Sequence, residues 1–241
     1  MRDYSLGFIS NELIYEHVKQ TVLLYRNSIS LEQFNHNIID PIKLTFDSQV
    51  YGKSFEEIIE SECIRQIDKS NSNHIGYFHQ NLFKYVGNGW SVPVAGFDVV
   101  NEQRHIFAEL KNKHNTMNSR ASDSVYMNMQ NKILHDDEAV CMLVEIIAKK
   151  SQDIPWNKNG LSHKKIRRVS IDKFYEIVFG DKYAFVKLCR ALPLIIEDVI
   201  SETGKNYIRN SVYAELRDLS PDTLKSLYLL SFKTYEGFND F

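Results

Sequence analysis

Gly96-Phe97-Asp98-Val99-Val100 and His105-Ile106-Phe107-Ala108-Glu109-Leu110-Lys111 are two strand-like runs separated by the polar stretch Asn101-Glu102-Gln103-Arg104. Two apolar-rich runs around a short polar turn read as a β-hairpin. Side chains alternate faces along a strand, so Phe107, Glu109, Lys111 and Lys113 share one face. Ile106, Ala108 and Leu110 share the other, which is apolar and suits a core. A symmetric turn centred between Glu102 and Gln103 places Asp98 opposite Phe107. Glu109 is then the diagonal neighbour of Asp98 on the same face, about 7–8 Å away at the backbone.

The texture on either side of the hairpin sets the fold class. Beyond it, residues 112–122 are polar with no apolar period, and 122–134 are compatible with a helix. Ala139-Val140-Cys141-Met142-Leu143-Val144-Glu145-Ile146-Ile147 is nearly continuous apolar sequence, the pattern of a strand covered on both faces. Val169-Ser170-Ile171 is a candidate for one more strand, and after Asp172 the pattern is helical, with Ser220-Pro221 opening a last helix. Upstream, Leu13, Ile14, Val18, Val22 and Tyr25 recur at helical spacing. Ser30 with Gln33 and Ser54 with Glu57 form capping-box starts, and Asp40-Pro41 stops the helix between them. Phe55, Ile58, Ile59, Cys63 and Ile67 make one apolar stripe, Ile75, Phe78, Leu82 and Tyr85 the next. Gly87 is a C-cap candidate, and Trp90-Ser91-Val92-Pro93-Val94 reads as a short extended piece. The expectation is an α/β (α+β) protein with a central mixed sheet that opens with the hairpin and is flanked by helices. No composition break marks a boundary, so one domain is expected over 1–241. Its parts are a helical 1–86, a core 87–171 and a helical 172–241.

Composition bounds the function. The chain has 241 residues, 43% of them hydrophobic and 25% charged, which is ordinary for a globular protein with a real core. Lys and Arg number 29 and Asp and Glu 31, for a net charge of −2. A uniformly basic polyanion binder is excluded, whereas a locally basic groove is not. With 10 glycines and 5 prolines, linker-rich and collagen-like chains are excluded too. Cys63, Cys141 and Cys189 are three and widely spaced, so neither a disulfide framework nor a CxxC metal site is expected. No stretch has the length and apolarity of a membrane span, and the first residues lack the apolar run of a signal peptide. The expectation is a soluble intracellular protein.

Asp98, Glu109 and Lys111 carry the chemistry. Glu109-Leu110-Lys111 is the only Asp/Glu-x-Lys triplet in the chain. Two carboxylates converging beside a lysine suit a hard divalent cation such as Mg²⁺, which takes a few carboxylate oxygens plus water. The lysine can then orient an attacking water or stabilise charge on a phosphate. Taken alone, the same residues also suit an exposed ion-pair ladder of little energetic consequence.

The order Asp, then Glu-x-Lys eleven residues on, resembles the PD-(D/E)xK nuclease superfamily, with Phe97 where that pattern often has Pro. The flanking text sharpens the likeness. Arg65-Gln66-Ile67-Asp68-Lys69-Ser70, Ile75-Gly76-Tyr77-Phe78-His79-Gln80 and Glu109-Leu110-Lys111-Asn112-Lys113-His114-Asn115-Thr116-Met117-Asn118-Ser119 resemble the type II restriction endonucleases that cut GGNCC or GGWCC sites. The likeness covers about residues 55–135. It implies a restriction-endonuclease-like core and Mg²⁺-dependent hydrolysis of double-stranded DNA. Asp98 and Glu109 would be metal ligands together with the Leu110 carbonyl, and Lys111 would position water. Glu62 is a further candidate, because superfamily members often place an acid on the helix before the hairpin; Glu60 and Glu57 are weaker ones.

Candidate DNA contacts follow the second strand directly: Lys113, His114, Asn115, Thr116, Asn118, Ser119 and Arg120 are phosphate- and base-contacting types. The most basic run in the chain, Ser162-His163-Lys164-Lys165-Ile166-Arg167-Arg168, adds Lys164, Lys165, Arg167 and Arg168, because arginine and lysine suit guanine edges. The resemblance further implies a homodimer matched to a two-fold symmetric site. It also implies a prokaryotic cytoplasm and a cognate DNA methyltransferase that acts on the same site without a stable complex. Two other readings stay in view, a PD-(D/E)xK nuclease of repair or junction resolution and a non-catalytic DNA-binding protein.

Overall fold

The computed structural model describes residues 2–37, 39–114, 117–204 and 211–232. The chain divides into two compact units, Met1–Leu23 with His74–Gly204 and Leu24–Asn73 with Lys205–Phe241.

The first unit is built on a mixed sheet, and the mixed α/β architecture is as expected. Among the described residues the sheet has six strands: β1 (Trp90–Ser91), β2 (Val99–Asn101), β3 (Ile106–Lys113), β4 (Val140–Ile147), β5 (Asp153–Pro155) and β6 (Ile166–Ser170). Their order is β1-β2-β3-β4-β6-β5. The β1–β2, β2–β3 and β5–β6 pairs are antiparallel, and the β3–β4 and β4–β6 pairs are parallel. Helices α1 (Asn11–Leu24), α5 (Ser119–His135), α6 (Ile171–Phe179) and α7 (Ala184–Thr203) accompany it. Parallel neighbours need a crossover, and α5 supplies the one from β3 to β4. The apolar run at 139–147 is β4, covered on both faces as its sequence predicts.

Period-two alternation divides the strands between two cores. Ile106, Ala108 and Leu110 face Met142, Val144, Val169, Phe174 and Tyr175 in one cluster. Phe107, Cys141, Leu143 and Ile166 face Tyr126, Met129 and Trp156 in the other. The Glu109 and Lys111 parity therefore belongs to the face that α5 covers.

The hairpin register differs from the expected one. The closing pair is Asn101–Ile106, so the turn is centred between Gln103 and Arg104. A single 3₁₀ turn, Glu102–Arg104, fills it, and His105 closes it in the left-handed region at φ 52°. Asn101 fixes this choice: its side-chain oxygen accepts from the Arg104 amide at 3.0 Å and its Nδ2 donates to the Asn88 carbonyl at 3.0 Å. The shift moves the partner of each β2 residue by two positions. Two positions preserve the face; the ladder ends at Val99–Ala108, and carried one step further this register sets Asp98 level with Glu109 rather than diagonal.

The second unit is helical: α2 (Leu31–His36), α3 (Pro41–Tyr51), α8 (Val212–Leu219), α9 (Thr223–Phe232) and the first part of α4 (Phe55–Leu82). Its own core gathers Phe34, Leu44, Ile59, Cys63, Val212 and Leu216. Both capping boxes form, Ser30 with Gln33 and Ser54 with Glu57. Asp40 caps the N-terminus of α3, with Pro41 in its first turn. The two apolar stripes after Ser54 lie on a single helix of 28 residues, α4, instead of two helices.

Candidate active site

Asp98 lies immediately before β2, and Glu109 and Lys111 lie on the half of β3 that extends past its ladder with β2. The Asp98 carboxylate accepts the Leu110 amide at 2.7 Å, so it occupies the ladder edge that β2 leaves open. Gln80, near the end of α4, donates to the Asp98 carbonyl at 3.3 Å and holds this segment from the helix side. Gly76, one turn earlier on α4, permits close approach to β3: a Cβ there would stand 2.9 Å from the Asn112 side-chain oxygen.

Glu109 Oε1 accepts from Lys111 Nζ at 2.6 Å, and both side chains are largely covered, 20% and 29% exposed. The Glu109 carboxyl is held above its ordinary range. Burial is the main cause, the Asp98 charge adds to it, and Lys111 partly offsets it. Glu109 also lines a cleft of about 330 Å³ with Gly96, Phe97, Val125, Asn128 and Asn131. The chemistry of the donors fits a hard divalent cation: the Asp98 charge makes ionised Glu109 more costly, and water has access to Glu109 through the cleft. Among the described residues no group of three or more His, Cys, Asp or Glu side chains gathers, so a cation here would draw on two carboxylates, backbone and solvent. Magnesium characteristically retains several waters in such sites.

A family model described as Eco47II restriction endonuclease matches residues 6–201. The chain belongs to the Eco47II restriction endonuclease family. It is 30% identical over 233 residues to the type II restriction enzyme Sau96I of Staphylococcus aureus, covering 90% of this chain and 89% of that one. It is 32% identical over 214 residues to the type II restriction enzyme Eco47II of Escherichia coli, covering 82% and 89%. The resemblance read from the motifs is thus borne out, and the protein is a type II site-specific deoxyribonuclease that acts on double-stranded DNA. Enzymes of this type generally need a divalent metal.

The other residues singled out from the sequence have varied surroundings in this family member. Glu62 lies in the second unit, where its carboxylate accepts from the Arg65 guanidinium at 2.6 and 2.5 Å and from Gln66 at 3.0 Å. Burial raises the Glu62 carboxyl, but these hydrogen bonds outweigh it and the group stays below its usual range. Lys113 ends β3 and is exposed. His114 follows, its amide donating to Ile147 at 2.9 Å and its Nδ1 lying 3.0 Å from Glu145. Asn115 and Thr116 lie outside the described residues. Asn118 caps α5 through the Ala121 amide, Ser119 donates to Asp123 at 3.4 Å, and Arg120 is exposed on the first turn.

The basic run is partly strand. Lys164 is exposed ahead of β6, and Lys165 donates to the Asp137 carbonyl. Arg167 and Arg168 are successive residues of β6 and point to opposite faces. Arg167 lies opposite Met142, away from the Glu109 face, and its guanidinium binds Asp153. Arg168 lies opposite Leu143 on the Glu109 face, and it binds Glu145.

Sequence reasoning weighed Gln80, with His79, for a role near the scissile phosphate, and passed over Glu145 and the cleft asparagines. Glu145 had a legible signal, being the one charged residue inside an apolar strand. Asn128 had none, because its position depends on how α5 meets the hairpin.

Proposed function

We propose that this restriction endonuclease hydrolyses DNA phosphodiesters in a Mg²⁺-dependent reaction at the Asp98–Glu109–Lys111 site. The observation that carries the reading is the Asp98 carboxylate held on the Leu110 amide, next in chain to Glu109, whose own carboxylate accepts from Lys111 on the same strand face. Asp98, Glu109 and the Leu110 carbonyl would hold the cation. When bound, Mg²⁺ neutralises charge on the reacting phosphate and acidifies water. Glu109 anchors the Lys111 ammonium with one of its three N–H groups. The other two stay available to hold the attacking water and a phosphate oxygen in line. The water oxygen forms a bond to phosphorus and gives up a proton to solvent, while the bond from phosphorus to the 3′ oxygen breaks and that oxygen takes a proton from a second water, leaving a 5′-phosphate and a 3′-hydroxyl. Glu62 stands outside this set, since Arg65 and Gln66 already occupy its carboxylate.

Lys113, His114, Asn115, Thr116, Asn118, Ser119 and Arg120 continue from the catalytic strand and are proposed to contact the duplex, as are Lys164, Lys165 and Arg168. Arg167 is the weakest candidate of the basic run because strand alternation turns it away from the Glu109 face. A homodimer on a GGNCC or GGWCC site places one active centre on each strand of the DNA. A cytoplasmic location, and a methyltransferase acting on the same site without a stable complex, complete the reading. No helix among the described residues is long and apolar enough to cross a membrane.

The test combines chelation with substitution. Cleavage should cease in EDTA and return with Mg²⁺, and Asp98→Ala and Glu109→Ala should abolish it while duplex binding in Ca²⁺ persists. Full cleavage by either variant would remove that residue from the site.

A further inference from the structure

Glu145 is 1% exposed and sits in a strand whose neighbours Cys141, Met142, Leu143 and Val144 are all buried apolar residues. Desolvating a carboxylate costs several kcal/mol, and an apolar residue of similar volume would serve such a strand as well or better. A charge kept in this position therefore points to what it holds. One Glu145 carboxylate binds two of the cations and donors that follow the active site. His114 Nδ1 lies 3.0 and 3.1 Å from its two oxygens, and Arg168 Nη2 donates to Oε1. Register places these groups beside the catalytic residues. Glu145 pairs with Lys111 across the parallel β3–β4 ladder, and Arg168 pairs with Leu143 one strand further, so all share the Glu109 face. His114 and Arg168 remain partly accessible, 17% and 19% exposed, whereas the carboxylate that joins them is 2% exposed.

We propose that Glu145 is a positioning residue for DNA: its buried carboxylate fixes His114 and Arg168 as a paired donor for one backbone phosphate of the bound duplex. This rests on the nuclease reading above. With Nδ1 committed to Glu145, the imidazole turns Nε2 away from the carboxylate, and it donates from there to a phosphate oxygen when both ring nitrogens carry protons. The Arg168 guanidinium carries its N–H groups in a fixed fork and stays partly accessible, so it can meet an anion while it binds Glu145. Holding both side chains before DNA arrives removes the ordering cost from the binding step.

The test uses the full chain, a short duplex containing the cleavage site, and Ca²⁺ in place of Mg²⁺. Glu145→Gln keeps the shape of the side chain and an acceptor but removes the charge. It should weaken duplex affinity about tenfold and flatten the salt dependence by about one phosphate contact. In an Arg168→Ala, His114→Ala background the same substitution should have little further effect, because its targets are gone. Glu145→Gln leaves Arg168 beside a neutral partner, so it should unfold at a lower denaturant concentration than wild type, and its affinity is read where it is fully folded. Unchanged affinity in Glu145→Gln, or an undiminished effect in the background lacking both donors, overturns the proposal. So does easier unfolding in a variant that binds and cuts like wild type, since the role would then be structural. Discrete cutting by the wild-type protein is the control for the nuclease reading. Discrete cutting together with unchanged Glu145→Gln affinity removes this inference alone, and absence of cutting by wild type removes both.

Discussion

Asp98 has two separable roles, and replacing it by asparagine or by alanine tells them apart. As an acceptor it takes the buried Leu110 amide at 2.7 Å. As a charge it makes ionised Glu109 more costly. A hydrogen bond to a charged group contributes about 1.5–3 kcal/mol and a neutral one about 0.5–1.5 kcal/mol. Asp98→Asn keeps an acceptor for Leu110, so it gives up about 1 kcal/mol of hydrogen bonding and gains from relief of repulsion on Glu109. Its net effect on stability should lie within about 1 kcal/mol of zero. Asp98→Ala also leaves the Leu110 amide without its acceptor, which costs about 1–3 kcal/mol. Urea unfolding should therefore rank Asp98→Ala clearly below Asp98→Asn, with Asp98→Asn close to wild type. Cleavage should be lost in both, because both remove the anionic ligand. Retention of cleavage in Asp98→Asn would refute the ligand assignment. Equal destabilisation in the two variants would show that the charge holds the strand, as in a structural ion-pair ladder.

Glu109→Gln should be at least as stable as wild type at neutral pH. The folded-state pKa of Glu109 is raised, so ionisation opposes folding, and the advantage should disappear as pH falls below the ordinary value of 4.5; urea midpoints across pH read this directly. His79, buried against Tyr175 and near His17, is pushed down to about 4 from 6.5, chiefly by burial. It is neutral in both states above pH 6.5, so stability should be flat there. It should then fall between 6.5 and 4 by up to about 3 kcal/mol, less in His79→Gln; an unchanged slope in that variant would assign the acid sensitivity elsewhere. Arg168→Ala should weaken duplex binding about tenfold or more and reduce its salt dependence, whereas Arg167→Ala, on the opposite face, should change affinity about threefold or less. Equal losses from the two would contradict the alternation of β6.

The site was legible in the sequence because strand parity is robust. The hairpin centre was misplaced by one position, since the sequence offers no view of Asn101 bonding Asn88 and Arg104. That error shifts partners by two and leaves every side chain on its expected face. β4 was legible from its apolar run, but the purpose of Glu145 within it depends on His114 and Arg168, which are distant in sequence. β5 was not legible: Asp153-Ile154-Pro155 is three exposed residues, joined by pairing to the sheet edge and carrying no apolar period. Nor was the division into two units, because the second combines residues before 74 with residues after 204 and α4 runs through the boundary. Basic residues counted as one patch in the sequence separate in space, since consecutive strand positions cannot face the same ligand.

The most direct test of the central claim is to incubate purified protein and its Glu109→Ala variant with a sequenced linear duplex and Mg²⁺, and then to sequence the DNA ends. The account predicts 5′-phosphate ends at one short G/C-rich motif from the wild-type protein and none from the variant. The same ends from Glu109→Ala, or ends scattered without a motif, would contradict it.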